Sequence, residues 1–254
     1  MSESPQLINL TLPAGPGGSV ALKAVLAVPA GAGPWPGVVL VHEAFGLTDV
    51  MRRQAIRMAA AGYLALMPDL FSEGGARKCL VATFRALSAG TGRAFVDIES
   101  AREFLAGRPD CTGRIGVLGF CMGGGFALAT ATRGFDVASV NYGRLPAELH
   151  EHLLGACPIV GSYGGADRSL PGAATKLGVA LARQGIAHDV KEYPGAGHSF
   201  LNDADTGPRV LRPVFKRILG AGPDPEAAAD AWRRIDAFFG EHLAERRARP
   251  RRAD

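Results

Sequence analysis

One stretch limits what this chain can fold into more than any other: Arg114-Ile115-Gly116-Val117-Leu118-Gly119-Phe120-Cys121-Met122-Gly123-Gly124-Gly125-Phe126-Ala127-Leu128. A short apolar run meets Gly119-Phe120-Cys121-Met122-Gly123, and a helical pattern follows at once. This is the pattern G-x-S-x-G with cysteine at the serine position. In that pattern the central residue sits on a tight, strained strand-to-helix turn, and glycines flank it because a Cβ there would collide with neighbouring backbone. The spacing predicts a strand, a sharp turn and a helix in immediate succession, with the Cys121 side chain pushed out above a sheet.

A chain of 254 residues with 47% hydrophobic content is long enough to bury one sizeable core without disulfide staples. The expectation is a single domain over residues 1–245 followed by a basic tail over 246–254. The formal net charge of +4 overstates the basicity of the globule, because Arg246, Arg247, Arg249, Arg251 and Arg252 all crowd that tail. The tail reads as a solvated end, and neither a nucleic acid nor a membrane is expected as a partner. Met1-Ser2-Glu3-Ser4-Pro5 has neither the positive segment nor the apolar segment of a secretory leader, and no run approaches membrane-spanning length. Cys79, Cys111, Cys121 and Cys157 show no C-x-x-C spacing and suit a reducing cytoplasm. The oligomeric state stays open between a monomer and a small homo-oligomer.

Taken in order, Gln6 to Leu12 and Val20 to Val28 are β-like runs joined by a turn-rich linker, which predicts an opening hairpin. Val38-Val39-Leu40-Val41 is apolar at every position, as expected of a parallel strand covered on both faces. Thr48 and Asp49 can cap a helix running to about Ala61, and Tyr63 to Met67 reads as a further buried strand. Leu70 to Gly92 mixes Gly, Arg and aromatics around a helical stretch from Cys79 to Leu87, the segment best suited to cover a site. Phe95 to Leu105 is helical in pattern. Beyond the elbow, strands are expected at Val137 to Tyr142, Pro158 to Tyr163 and Ala187 to Tyr193. The intervening helices fall at Leu149 to Leu154 and Gly172 to Gln184, with a last helix over Pro225 to Leu243. This alternation specifies an α/β class with a mainly parallel central sheet and helices on both faces.

A nucleophile needs a base, and the base needs a partner to fix its tautomer. Asp167 follows the strand ending at Tyr163, and His198 follows the strand ending at Tyr193. The order Cys121, Asp167, His198 is that of an α/β-hydrolase, and each residue falls just beyond the carboxyl end of a strand, where open α/β sheets bind ligands. At the first turn of a helix, unsatisfied N–H groups favour a thiolate, and an adjacent imidazole can take the proton. The Met122 N–H and one from the loop His42 to Phe45, assigned to Ala44, are positioned to hold an oxyanion. Phe45, Tyr142 and Phe200 adjoin these loops and are candidate walls of an apolar pocket.

The segments Val41 to Leu47, Pro68-Asp69-Leu70-Phe71, Gly119 to Gly124 and Tyr193 to Phe200 resemble the dienelactone hydrolase family, and the resemblance runs from about Leu22 to Leu243. It implies an α/β-hydrolase fold and a triad falling on Cys121, His198 and Asp167. It also implies hydrolysis of a small-molecule lactone or ester, with no metal and no organic cofactor. In this family the glutamate corresponding to Glu43 lies beside the cysteine and accepts its proton when substrate binds. The family's dienelactone-degrading members also carry an arginine four residues after the histidine; here Asn202 stands there, and a neutral amide cannot make the bidentate contact of a guanidinium. Asn202 is therefore a candidate substrate-binding residue that departs from the family pattern.

Two further readings stay open from sequence: a thioesterase, and a ligand-binding or redox-responsive protein with little turnover, the latter motivated by cysteine in place of serine. Gly46 occupies the second histidine position of H-E-x-x-H, and no phosphate-binding G-x-x-x-x-G-K-[ST] or G-x-G-x-x-G occurs, so zincin and nucleotide chemistry are not indicated.

Overall fold

The computed structural model describes residues 4–13 and 15–244; the basic tail of 246–254 lies outside the described residues. The first elements are the strands β1 (Gln6–Leu12), β2 (Leu22–Val28) and β3 (Trp35–Val41), then helix α1 (Asp49–Ala60), strand β4 (Leu64–Pro68) and helices α2 (Ala76–Ala89) and α3 (Arg93–Ala106). Next come β5 (Cys111–Phe120), α4 (Met122–Thr130), β6 (Val137–Asn141), α5 (Leu149–His152), β7 (Ile159–Gly164), α6 (Ala173–Arg183) and β8 (His188–Tyr193). Helices α7 (Arg212–Leu219) and α8 (Pro225–Leu243) end the described chain.

The strands form one eight-stranded sheet in the order β1-β2-β4-β3-β5-β6-β7-β8. The opening hairpin pairs antiparallel, β2 also runs antiparallel to β4, and every later pairing is parallel. This is the α/β-hydrolase architecture. Because β3, β5, β6, β7 and β8 share one direction, their carboxyl ends open on the same edge of the sheet, and the loops leaving them must meet there.

The unbroken apolar run of β3 follows from burial on both faces. Val39 and Val41 enter one core with Ile98 and Leu105 of α3 and Phe126 of α4. Val38 and Leu40 enter the other, with Met51 and Met58 of α1 and Trp232, Ile235 and Phe239 of α8. Successive strand residues point to opposite faces, so alternation of polarity is lost when helices cover both. Each such side chain, fully withdrawn from water, contributes about 1.5–3 kcal/mol relative to exposure. Two of the covering helices, α1 and α8, start at side-chain caps: Thr48 Oγ1 accepts the Met51 N–H at 3.3 Å, and Asp224 accepts the Ala227 N–H at 3.1 Å ahead of Pro225.

Helix α7 is not among the helices expected from the sequence. Pro213 stands in its first turn, where proline is tolerated but reads as a breaker without tertiary context. The segment still carries a helical signal, with Leu211, Val214, Phe215, Ile218 and Leu219 at spacings of three and four.

Candidate active site

The elbow forms as its glycines require. A Cβ on Gly119 would lie 1.9 Å from the Gly123 carbonyl oxygen, and one on Gly123 would lie 2.0 Å from that of Val41. No rotamer relieves either clash, since both partners are backbone. Between these glycines Cys121 holds φ 55° and ψ −115°, a left-handed-side conformation that non-glycine residues rarely adopt. The strained turn aims the thiol away from β5 and places it at the N-cap of α4.

Two more loops bring their residues to this point. His198 follows β8, and its Nδ1 lies 2.6 Å from Asp167 Oδ2, the carboxylate supplied by the loop after β7. Asp167 is itself held by Ser169, whose N–H and Oγ both donate to Oδ1, at 2.9 and 2.6 Å. Cys121 lines the same cavity as His198 and is close enough to bear on the charge of its ring. Burial acts to lower the His198 pKa, but the hydrogen bond to Asp167 and the hydrogen bond and charge of Cys121 outweigh it, raising the value to about 10. Burial likewise opposes ionisation of Asp167, and the hydrogen bonds and charge of His198 with the Ser169 contacts reverse the sign, so its pKa is lowered.

A group whose pKa is higher folded than unfolded stabilises the fold in full below its unfolded value, and that contribution is lost as pH rises through the folded value. For His198 the window runs from ~6.5, the ordinary histidine value, up to about 10. The stability gap between the wild type and His198→Asn is therefore expected to narrow steadily from pH 7 to pH 10. Urea midpoints measured across that range check this, and a gap that stays constant would contradict it.

Cys121 and His198 face a cavity of about 270 Å³, together with Glu43, Ala44, Phe45 and Asn202. Glu43 is buried, and its Oε1 accepts hydrogen bonds from Ser199 Oγ at 3.0 Å and from Asn202 Nδ2 at 2.9 Å. Its Oε2 and the Asn202 Oδ1 have no hydrogen-bond partner among the described residues. The Met122 N–H opens α4, and the Ala44 N–H lies in the loop after β3; among the described residues neither donates to another backbone group.

Two residues expected at the pocket wall are not there. Tyr142 and Phe200 are buried in the core on the α8 side of the sheet, their rings 5.7 Å apart. Tyr142 packs behind His198, with ring centroids 5.1 Å apart, so it backs the imidazole instead of lining the cavity. The walls come partly from residues that the sequence does not single out. Leu80 of α2 enters from the region expected to cover the site, and Arg212, Phe215 and Leu219 enter from α7. Arg212 is the arginine among the described residues that line the cavity, and its Nε donates to the Gly207 carbonyl at 3.1 Å. Ser199 and Ser169 are also absent from the sequence reading, although each lies within two residues of a named site residue. Among the described residues no group of three or more His, Cys, Asp and Glu side chains is arranged to hold a metal ion, and no helix is long and apolar enough to cross a membrane.

The sequence model of the dienelactone hydrolase family matches residues 22–243. A protein of Azospirillum brasilense, provisionally named carboxymethylenebutenolidase, is 30% identical over 254 residues, covering 93% of this chain and all of its own. A similarly named protein of Methylorubrum extorquens is 29% identical over 241 residues, covering 87% of this chain and 77% of its own length. Among solved structures, one provisionally titled dienelactone hydrolase from Klebsiella pneumoniae superposes with a TM-score of 0.76 at 24% identity, covering 94% of this chain and all of that one, a likeness of fold. The chain therefore belongs to the dienelactone hydrolase family, and is a hydrolase of the carboxylic ester and lactone class on an α/β-hydrolase fold.

Proposed function

We propose that this protein cleaves a small carboxylic ester or lactone through a thioester acyl-enzyme on Cys121. His198 takes the thiol proton and later returns it to the leaving alkoxide, while Asp167 holds the imidazole in the required tautomer and stabilises its cationic form. The thiolate attacks the acyl carbon, the carbonyl π electrons move to oxygen, and the resulting oxyanion is met by the N–H groups of Met122 and Ala44. Collapse expels the alkoxide. A water then attacks the thioester with His198 as base, releasing the acid and restoring the thiol.

The observation that carries this reading is the convergence of three strand-end loops: a cysteine on a positive-φ turn at a helix start, an imidazole beside it, and a carboxylate 2.6 Å behind the imidazole, with the cysteine and imidazole facing one cavity. Separate loops have no reason to assemble that sequence of groups for packing alone. Glu43 contributes an acceptor beside the nucleophile, and Ser199 and Asn202 hold that carboxylate in place. The cavity admits a ligand of modest size, with Phe45 and Leu80 giving it apolar wall and Arg212 a cation.

The test is a hydrolysis panel of aryl esters, neutral lactones, carboxylate-bearing lactones and acyl thioesters, run beside acid quenching of a slowly deacylating ester. An acyl mass increment mapped to the peptide carrying Cys121 is expected during steady state. Turnover with no adduct on that peptide, and full activity after thiol alkylation, would count against the mechanism.

A further inference from the structure

His42, the first residue beyond β3, is completely buried, and nothing in the proposed mechanism uses it. Its ring is nevertheless held in one orientation and one tautomer. Nε2 accepts the Leu70 N–H at 3.1 Å, a bond that only a bare ring nitrogen can accept. The single proton of the neutral ring must then sit on Nδ1, and Nδ1 lies 2.6 Å from the Glu43 carbonyl oxygen, to which it donates. Phe71 packs against the ring with centroids 4.9 Å apart. Among the described residues the carboxylate near Nε2 is that of Asp69, at 3.8 Å. Burial lowers the His42 pKa, against the pull of the Glu43 carbonyl and the Asp69 charge, which agrees with a neutral ring.

The Glu43 carbonyl is one end of a rigid unit. The peptide joining Glu43 to Ala44 is planar and trans, so its C=O and the Ala44 N–H point in opposite directions along one plane. Two donors fix the oxygen: His42 Nδ1 and the Gly46 N–H, the latter at 3.1 Å. Fixing the oxygen fixes the direction of the N–H. A hydrogen bond accepted by the carbonyl also polarises the amide and makes the N–H a stronger donor.

We propose that His42 is a positioning residue for acyl transfer: donating from Nδ1 to the Glu43 carbonyl, and braced by the Leu70 N–H on Nε2, it sets the plane of the Glu43–Ala44 peptide so that the Ala44 N–H meets the oxyanion. This rests on the reading of Cys121 as nucleophile and Ala44 as oxyanion donor. It links the loop after β4 to the loop after β3 through one imidazole, and gives a chemical reason for histidine ahead of Glu43.

The test separates the two ring nitrogens. An asparagine amide can place a donor near the Nδ1 position, and a glutamine amide can place an acceptor near Nε2. His42→Gln should keep the brace to Leu70 and lose the bond to the Glu43 carbonyl; His42→Asn should do the reverse. With an activated aryl ester, His42→Gln is expected to lower kcat about ten- to hundred-fold with KM within about two-fold, a fraction of what deleting an oxyanion donor costs. His42→Asn is expected to recover most of whatever kcat His42→Gln loses. In the same samples, iodoacetamide should alkylate Cys121 at the wild-type rate, because displacement at a saturated carbon forms no oxyanion. Parallel loss of alkylation and acylation would overturn the proposal in favour of a merely structural histidine, as would an unchanged kcat in His42→Gln. In the unsubstituted protein, nitrogen NMR of the ring should find Nδ1 protonated and Nε2 bare, and the opposite tautomer would overturn it without any variant. Ester turnover that survives Cys121→Ala would instead overturn the parent mechanism, a result distinguishable from any of these.

Discussion

Cys121→Ala should lose turnover of every ester and lactone that the wild type accepts, by roughly five to six powers of ten, leaving only what the oxyanion donors and binding support. The size of the effect follows from the proposed covalent route: without the thiolate there is no acyl-enzyme, and His198 has no thiol proton to take. The fold should be unaffected, because alanine retains the Cβ that the turn already carries at φ 55° and removes only a half-buried sulfur. Initial rates on the substrate panel, with urea unfolding of the same samples, separate the two quantities. Retained turnover at an unchanged unfolding midpoint would show that another group attacks.

The second large effect concerns stability. Gly123→Ala would push a methyl group to 2.0 Å from the Val41 carbonyl oxygen, so the start of α4 would have to leave β3. Backbone does not yield as a side chain does, and a loss of more than about 4 kcal/mol is expected, enough to deplete the folded state of a domain of ordinary stability. Gly155→Ala is the control. Gly155 has φ +77° but nothing within 4 Å of an added Cβ, so only backbone strain of about 1–2 kcal/mol applies. Soluble yield and urea midpoints of the two variants, measured side by side, check the contrast; equal midpoints would mean that the elbow tolerates a side chain and that its glycines are not steric requirements.

How much of this was legible in the chain depends on how local each cause is. Cys121 stands out because its turn is encoded within five residues, Gly119 to Gly123, whose spacing has few other uses. Asp167 and His198 are placed by the strands that precede them, since a parallel sheet brings successive strand ends to one edge whatever the side chains in between. Tyr142 and Phe200 were misread because an aromatic beside a strand end can face either the cavity or the core. Here both pack together on the α8 side of the sheet, a choice made by helix residues distant in sequence, such as Trp232 and Phe239. Arg212, Phe215 and Leu219 pose the converse case: their helix carries apolar spacing, but no local signal says that these residues line a cavity.

Asn202 shows both levels in one residue. From the sequence it marks only a missing guanidinium; in the structure its amide holds Glu43 Oε1 at 2.9 Å, while a different element, α7, supplies an arginine to the cavity. The class of fold, the elbow and the chain order of Cys121, Asp167 and His198 can be read along the chain, because each depends on periodicity, on glycine spacing or on the sense of strand connections. Which carbonyl His42 grips, how Glu43 is held and what walls the cavity emerge once the chain is folded. Those are contacts between loops far apart in the chain, and a contact of that kind has no counterpart in local sequence until the sheet has brought the loops together.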